Sequence, residues 1–153
     1  MVGGERIDLD HGSVAWGPCY IGEGAKIGAD VSIGCLAHVG RDTLIADGCR
    51  IQGGAYVADL SVLKESVFIG PNATLLNDKY PPSKDSNLWE PITIEESAVI
   101  GGGATILPGL TIGSHSVLAA GSVLTKDLPA GEVWAGNPAK YLMLRSEYEE
   151  ARG

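Results

Sequence analysis

Residues 21–34 read IGEGAKIGADVSIG, and this stretch decides the fold. An aliphatic residue recurs every six positions, and a small or β-branched residue stands two positions before each of Ile27 and Ile33. A period of six fits neither a helix nor a long alternating strand, so it predicts short strands separated by turns. The same spacing continues in both directions for twelve units, with apolar residues at Leu9, Ala15, Ile21, Ile27, Ile33, Val39, Ile45, Ile51, Val57, Leu63, Ile69 and Leu75.

After an interruption the period resumes one residue out of step, at Ile94, Ile100, Ile106, Ile112, Leu118 and Leu124. We expect the branched residue to point into a narrow interior and the small residue to fit inside a corner, while glycine tolerates the turn. Three units close one triangular coil, and the coils stack about 4.8 Å apart through backbone hydrogen bonds. The sequence therefore predicts an all-β chain, a parallel β-helix of about six coils around one aliphatic column.

These repeats resemble those of the hexapeptide-repeat acyltransferases from about Leu9 to Lys140. The likeness is carried by IGEGAKIG at 21–28, IGGGATILPG at 100–109, VLTKDLP at 123–129 and GNPAK at 136–140. The last two segments are similar to that family's final coil and exit. The resemblance implies a left-handed parallel β-helix, a homotrimer, and acetyl-CoA bound between neighbouring subunits.

The composition of the chain argues against several classes of binding partner. The chain has 153 residues and a formal charge of −8, which suits one domain and argues against a nucleic-acid or membrane partner that needs clustered Lys and Arg. No apolar run approaches the roughly 20 residues of a membrane span, and residues 1–15 contain no apolar segment typical of a signal peptide. The three cysteines form no pairing or metal motif. We therefore expect a cytoplasmic protein with reduced thiols and a small-molecule substrate.

Residues 77–91, NDKYPPSKDSNLWEP, break the repeat. Inserted loops on rigid scaffolds usually carry function, although this one could also pack a trimer. The loop start, residues 75–82, resembles that of N-acetyltransferases acting on nucleotide-linked amino sugars, especially 3-amino sugars. Gly53 and Gly54 stand where several of those sequences have polar residues. We expect a β-helix domain over residues 1–136 that contains this loop.

Residues 137–153 are rich in helix formers, and no Gly or Pro lies between Pro138 and Arg152. Asn137 and Pro138 are a plausible helix cap and first helical residue. This pattern predicts a C-terminal helix over 137–153, which covers the open end of the column or contacts a neighbouring subunit.

Acetyl transfer to an amine needs a neutral, well-aimed amine, a donor for the oxyanion and a proton for the leaving thiolate. Asn77 is the first catalytic candidate, because its amide oxygen could accept from a sugar amine and the resemblance implies an Asn there. Asp78 is the second candidate for this acceptor. An Asn at a loop entrance is also an ordinary turn former.

His38 is the third catalytic candidate and belongs to an outward-facing stripe with Tyr20, Tyr56 and Thr74, one residue per coil. The stripe could line a sugar-nucleotide groove in which Tyr stacks on a base, or it could pack a subunit interface. His38 lies two coils, or roughly 10 Å, below Thr74, which makes it the weaker base. The substrate-binding candidates are Tyr56, Thr74, Tyr80 and Trp89.

The later coils carry the cofactor candidates. Gly102 and Ala120 leave backbone exposed to a pantetheine arm, although they are also ordinary turn residues. Lys126 and Lys140 suit the phosphates of CoA in an otherwise acidic chain. The resemblance adds the exit residues Asn137 and Pro138 as CoA contacts.

Four function classes remain open at this point. The first is an acetyl-CoA-dependent N-acetyltransferase of a nucleotide-linked amino sugar, in which the amine attacks the thioester directly. An O-acetyltransferase on the same fold would want a His base beside the loop. A zinc enzyme of carbonic-anhydrase type needs clustered His, and the three His here are 27 and 77 residues apart, so we expect no metal. A non-catalytic scaffold is the fourth class.

Overall fold

Short parallel strands stack into three flat faces in the computed structural model, which describes residues 3–153. In chain order the strands are β1 (Glu5–Asp8), β2 (Val14–Gly17), β3 (Tyr20–Ile21), β4 (Lys26–Ile27), β5 (Ser32–Ile33), β6 (His38–Val39), β7 (Leu44–Ile45), β8 (Arg50–Ile51), β9 (Tyr56–Val57), β10 (Val62–Leu63), β11 (Phe68–Ile69), β12 (Thr74–Leu75), β13 (Thr93–Ile94), β14 (Val99–Ile100), β15 (Thr105–Ile106), β16 (Thr111–Ile112), β17 (Val117–Leu118), β18 (Val123–Leu124), β19 (Glu132–Gly136) and β20 (Ala139–Leu144). Two 3₁₀ turns lie at Asp10–Gly12 and Ser86–Leu88, and one helix, α1, spans Arg145–Arg152.

From β2 to β18, every third strand along the chain belongs to the same face. The first face has the order β1-β2-β5-β8-β11-β14-β17-β19-β20, in which β1 and β20 pair antiparallel at the two ends. The second face is β18-β15-β12-β9-β6-β3, and the third is β16-β13-β10-β7-β4. The chain makes six coils, and β19 begins a seventh turn, so the predicted β-helix of about six coils is confirmed.

The core is the predicted column of aliphatic residues. The inward residues of the strands from Ile33 to Leu124 are almost fully buried, and the small corner residues Ala55, Ala73 and Ala104 are buried beside them. Coils approach closely at the corners: a Cβ at Gly22 would lie 2.5 Å from the main-chain nitrogen of Arg41, one coil above. A residue 18 positions further along therefore lies directly above, as in the ion pair between Arg41 and Asp59.

The C-terminal prediction is wrong in its extent. Residues 139–144 form β20, which pairs antiparallel with β19 so that Gly136 faces Ala139, and Asn137 and Pro138 are the turn between them. The open edge of the first face offers unpaired backbone groups to this segment, and that pairing overrides its helix propensity. The helix begins only at Arg145, where the Glu147 carboxylate accepts from the main-chain N–H of Leu144 at 2.7 Å.

The domain boundary moves accordingly, because the β-structure continues to Leu144 rather than ending at residue 136. Helix α1 contacts β19 and β20 and buries no residue fully. Among residues 3–153, the helices are all too short or too polar to cross a membrane.

Candidate functional site

The inserted loop leaves the prism at the corner between the second and third faces. Strand β12 leads to Leu76, whose N–H still donates to Ile106 O at 3.1 Å, and Asn77 follows as the first residue outside the ladder. The main-chain N–H of Glu90 donates back to Asn77 O at 2.7 Å. Asp78 and Trp89 form an isolated antiparallel bridge just beyond. The base of the loop is therefore a short, closed ribbon fixed to rigid coils.

Asp78 has one satisfied and one unsatisfied carboxylate oxygen. Its Oδ2 accepts from the main-chain N–H of Ser83 at 2.9 Å, which fixes the orientation of the side chain. Its Oδ1 is buried and has no hydrogen-bond partner among residues 3–153. A buried acceptor without a donor costs about 1–3 kcal/mol. This oxygen therefore keeps its full capacity to accept a hydrogen bond.

Asp78 lines a cavity of about 280 Å³ beneath the loop, which we name the loop cavity. Its walls are the loop residues Asp78, Lys79 and Pro81 and the corner residues Leu76, Leu107, Pro108, Leu110 and Thr125. Most of these side chains are apolar, so a carboxylate oxygen here faces little competition from water. Lys79 is engaged on the loop itself, with its Nζ 3.4 Å from Glu90 Oε2.

A second cavity, of about 330 Å³, adjoins the loop cavity, and we name it the lysine cavity. Thr125 lines both cavities, and the remaining residues of the lysine cavity are Lys126, Trp134, Pro138, Ala139, Lys140 and Tyr141. Lys126 lies at the same corner as Asn77, two coils above it, or roughly 10 Å away. Trp134 is held by a hydrogen bond from its Nε1 to Glu132 Oε2 at 2.7 Å. Together the two cavities form a groove along one corner of the prism.

The cofactor candidates divide between two places. Lys126, Pro138 and Lys140 meet in the lysine cavity, and Asn137 lies next to them in the β19–β20 turn. The structure does not bring Gly102 and Ala120 to this cavity, because both lie at the opposite edge of the second face, where it meets the first. Ala120 instead lines an apolar groove of about 520 Å³ on the first face, with Phe68, Val99, Val117, Val133, Leu142, Met143 and Tyr148 among its walls.

The catalytic candidates also divide. Asn77 and Asp78 lie together at the loop base, where the Asn77 side-chain amide donates to Asp59 O at 3.4 Å. His38 lies between the rings of Tyr20 and Tyr56 on the second face, and it lines neither the loop cavity nor the lysine cavity. The structure thus separates His38 from the other two candidates.

The substrate candidates lie on two elements. Tyr56 and Thr74 are adjacent on the second face, in paired positions of β9 and β12. Tyr80 and Trp89 belong to the loop, where Tyr80 is 80% exposed and Trp89 is half-buried. The cavity-lining residues Leu107, Thr125 and Trp134 were not identified from the sequence. Counting by coils could have found two of them, because Leu76, Leu107 and Thr125 share one corner position in successive coils.

The thiols carry no sign of reactivity. Cys19, Cys35 and Cys49 are free, and Cys49 is buried with its Sγ donating to Lys64 O at 3.0 Å. Burial raises the pKa of Cys49 to about 11, so the thiol is protonated at neutral pH. Within residues 3–153 no three His, Cys, Asp or Glu side chains are grouped as they would be around a metal ion.

Comparison with known proteins supports this architecture. The family described as bacterial transferase hexapeptide (six repeats) matches residues 24–59 and 91–126. The Saccharomyces cerevisiae protein YJL218W is 34% identical over 120 residues, which is 75% of this chain and 56% of that protein. The chain thus spans about half the length of this relative.

Solved structures show the same prism. The acetyltransferase domain of PglB from Neisseria gonorrhoeae superposes with a TM-score of 0.74 at 28% identity, over 85% of this chain and 57% of that one. PerB from Caulobacter crescentus, solved with CoA and GDP-perosamine, gives a TM-score of 0.71 at 27% identity, over 82% of this chain and 55% of PerB. The two matched segments lie on either side of the inserted loop, in coils built throughout from six-residue units. The chain therefore carries, on both sides of the loop, the six-residue repeats that the model of this family describes.

Proposed function

We propose that this chain is an acetyl-CoA-dependent N-acetyltransferase that acts on the amine of a nucleotide-linked amino sugar, with a 3-amino sugar favoured. The observation that carries the proposal is the groove along one corner, in which Asp78, with its unpartnered Oδ1, lines one cavity and Lys126 and Lys140 line the adjoining one. The similar protein PerB was solved with CoA and GDP-perosamine, and the PglB domain with acetyl coenzyme A.

In this proposal the lysine cavity binds the phosphates of CoA. The exposed ammonium groups of Lys126 and Lys140 can pair with these anions, although the chain as a whole has a net charge of −8. The acetyl thioester then extends along the corner, past Thr125, into the loop cavity. The amine nitrogen attacks the thioester carbon, and Asp78 Oδ1 accepts the proton that this nitrogen loses. The carbon–sulfur bond breaks, the proton held by Asp78 passes to the thiolate, and CoA leaves as a thiol.

The loop cavity is lined by a carboxylate and by no His among the described residues, which suits an amine acceptor better than a hydroxyl. A neutral amine is a good nucleophile and needs an orienting acceptor, whereas a hydroxyl needs a strong base such as His. His38 lines neither cavity, so its position favours N-acetylation over the alternative O-acetylation. We place the protein in the cytoplasm, since its three cysteines are free and such thiols persist in reducing compartments.

We also propose a homotrimer. The outward side of the first face carries the partly exposed Phe68 and Val99 along an apolar groove, and a thin prism gains stability by covering such a surface. Light scattering at micromolar concentration should give a mass near three times 15.9 kDa. A stable particle of one chain would contradict the assembly.

The experiment that tests the activity pairs each amine with its hydroxyl analogue. Calorimetry first measures acetyl-CoA binding, and thiol release is then followed with UDP- and dTDP-linked amino sugars and with the same nucleotide sugars carrying a hydroxyl instead. We expect thiol release with an amine and none with its hydroxyl partner. Turnover of hydroxyl acceptors alone would establish the O-acetyltransferase, and the failure of acetyl-CoA to bind would contradict the proposal.

A further inference from the structure

Three aromatic rings are stacked on the outer side of the second face, and we name them the aromatic ladder. Tyr20, His38 and Tyr56 occupy the same register position in β3, β6 and β9. The ring centroids are 4.6 Å apart for Tyr20 and His38 and 4.5 Å apart for His38 and Tyr56, with interplanar angles of 20° and 17°. Because these spacings match the rise between coils, the ring faces point along the prism axis and the ring edges point outward.

The ladder ends abruptly at Tyr56. The next residues in the same column are Thr74, Thr105 and Val123, whose short side chains carry no ring. The upper face of Tyr56 therefore has no stacking partner of its own chain among the described residues, and the side chain is 41% exposed. At the other end Tyr20, 47% exposed, is the corresponding terminal ring.

The open end of the ladder lies at the level of the inserted loop. Thr74 and Asn77 belong to the same coil, and Leu76, two residues after Thr74, lines the loop cavity. Two residues of extended chain span roughly 7 Å. A planar group lying above Tyr56 would thus sit beside the loop cavity, with the Thr74 hydroxyl next to its edge.

We propose that the upper face of Tyr56 binds the base of the nucleotide-linked substrate, so that the base becomes the fourth ring of the aromatic ladder. This inference rests on the proposed function and identifies how that substrate's nucleotide is recognised. Every base has a π-face, so stacking on an aromatic side chain provides affinity without selecting one base. The ring of His38 packs against the lower face of Tyr56 and holds it in place before binding, which reduces the ordering cost.

The direction of the ring faces favours a base over a second copy of the chain. A flat protein surface that docked against the second face would meet the ring edges. A planar group lying parallel to the coils would meet the free face of Tyr56. The space above Tyr56 also begins at the rung of Thr74, from which the loop leaves.

The test compares the two ends of the ladder by calorimetry. UDP and thymidine diphosphate serve as probes, with inorganic pyrophosphate as the probe that has no base. Tyr56→Leu should weaken binding of both nucleotides by about 5- to 150-fold, the range expected for one lost base–aromatic stack. Tyr56→Phe keeps the ring and should stay near wild type, as should Tyr20→Leu, the matched control at the far end. Pyrophosphate should bind all four proteins equally.

Equal losses for Tyr56→Leu and Tyr20→Leu, or no loss for either, would overturn the inference. A Tyr56→Leu protein that changes its mass in light scattering yet binds UDP normally would also overturn it and assign the ladder to a subunit interface. Suppose that Tyr56→Leu weakens nucleotide binding but the wild-type protein does not bind acetyl-CoA. That result would support the inference and contradict the proposed function. Normal acetyl transfer with no effect of Tyr56→Leu on nucleotide affinity would do the reverse.

Discussion

The main-chain N–H of Glu90 donates to the carbonyl oxygen of Asn77 at 2.7 Å, and this hydrogen bond closes the inserted loop at the point where it leaves the prism. The bridge between Asp78 and Trp89 follows directly. Because both ends of the loop are fixed to buried coils, Asp78 keeps a defined position although it belongs to a loop. Precise placement of this kind is what a proton acceptor requires.

The loop base should show a clear order of catalytic effects. Asp78→Asn should lower kcat by about 10²- to 10⁴-fold, as expected for a lost general base. Asn77→Ala removes one neutral hydrogen bond and should lower kcat by about 5- to 150-fold. His38→Ala should do less, because His38 lines neither cavity. Acetyl-CoA affinity should hardly change in any of the three.

Steady-state kinetics and calorimetry on these variants measure that order. Asp85→Asn is the matched control, since Asp85 is an exposed carboxylate of the same loop that caps the Ser86–Leu88 turn. An inactive His38→Ala enzyme beside fully active Asp78→Asn and Asn77→Ala enzymes would transfer the base role to His38 and favour O-acetylation.

The hydrophobic column should not tolerate a charge. Ile33 is 0% exposed, and Ile33→Asp would bury a carboxylate without a partner at a cost of several kcal/mol. Thermal unfolding followed by circular dichroism should show that transition lost or moved far down. Ser32→Asp is the control, because Ser32 precedes Ile33 in β5 but faces outward. Equal stability of the two variants would show that the inward register is wrong.

Cys49 should make stability depend on alkaline pH. Burial raises its folded pKa to about 11, above the ordinary thiol value of 9.0. The unfolded thiol ionises first as pH rises, so this contribution to stability is complete below about pH 9 and is lost as pH approaches 11. Cys49→Ala should show a shallower fall in melting temperature over this interval. Identical slopes for the variant and the wild type would contradict the assignment.

The affinity of the lysine cavity for acetyl-CoA should depend on the charge of Lys126. Lys126→Ala should weaken acetyl-CoA binding by about tenfold at low salt, and less at high salt, because the contact is exposed and screened. Lys26→Ala, an exposed lysine on the third face, is the control and should bind like wild type. Calorimetry at two salt concentrations measures both. Equal affinities for the two variants would remove the phosphates from this cavity.

The prism could be predicted from the sequence because its six-residue unit repeats strictly. A residue and its neighbour 18 positions later lie one above the other, so the column and the stripe of Tyr20, His38 and Tyr56 follow from counting. The same count places Gly102 and Lys126 at different corners, because they are 24 positions apart, one coil and one further face. Counting by coils therefore separates two residues that were both candidates for the cofactor site.

Features that depend on non-repeating chain were harder to predict. The segment 139–144 has helix-forming residues, but the free edge at β19 pairs with it as a strand. The unpartnered Oδ1 of Asp78 arises from the fold of the loop, including the Ser83 N–H that holds the other oxygen. No periodic signal encodes either contact.

The central claim is that the inserted loop forms the acceptor site on a prism that does not need it to fold. Leu75 and Ile94 are 19 positions apart where the regular spacing is six, so the loop adds 13 residues. Deleting residues 78–90 joins Asn77 to Pro91 and restores the spacing, and the hydrogen bond between Asn77 and Glu90 shows that the two ends are already close.

The most direct measurement is acetyl transfer by this shortened chain, beside its melting temperature and its affinity for acetyl-CoA. We predict a folded protein that binds acetyl-CoA within about threefold of wild type, since Lys126 and Lys140 remain, but transfers no acetyl group to the amino-sugar acceptor. A folded, shortened chain that acetylates the same acceptor at the wild-type rate would contradict the account.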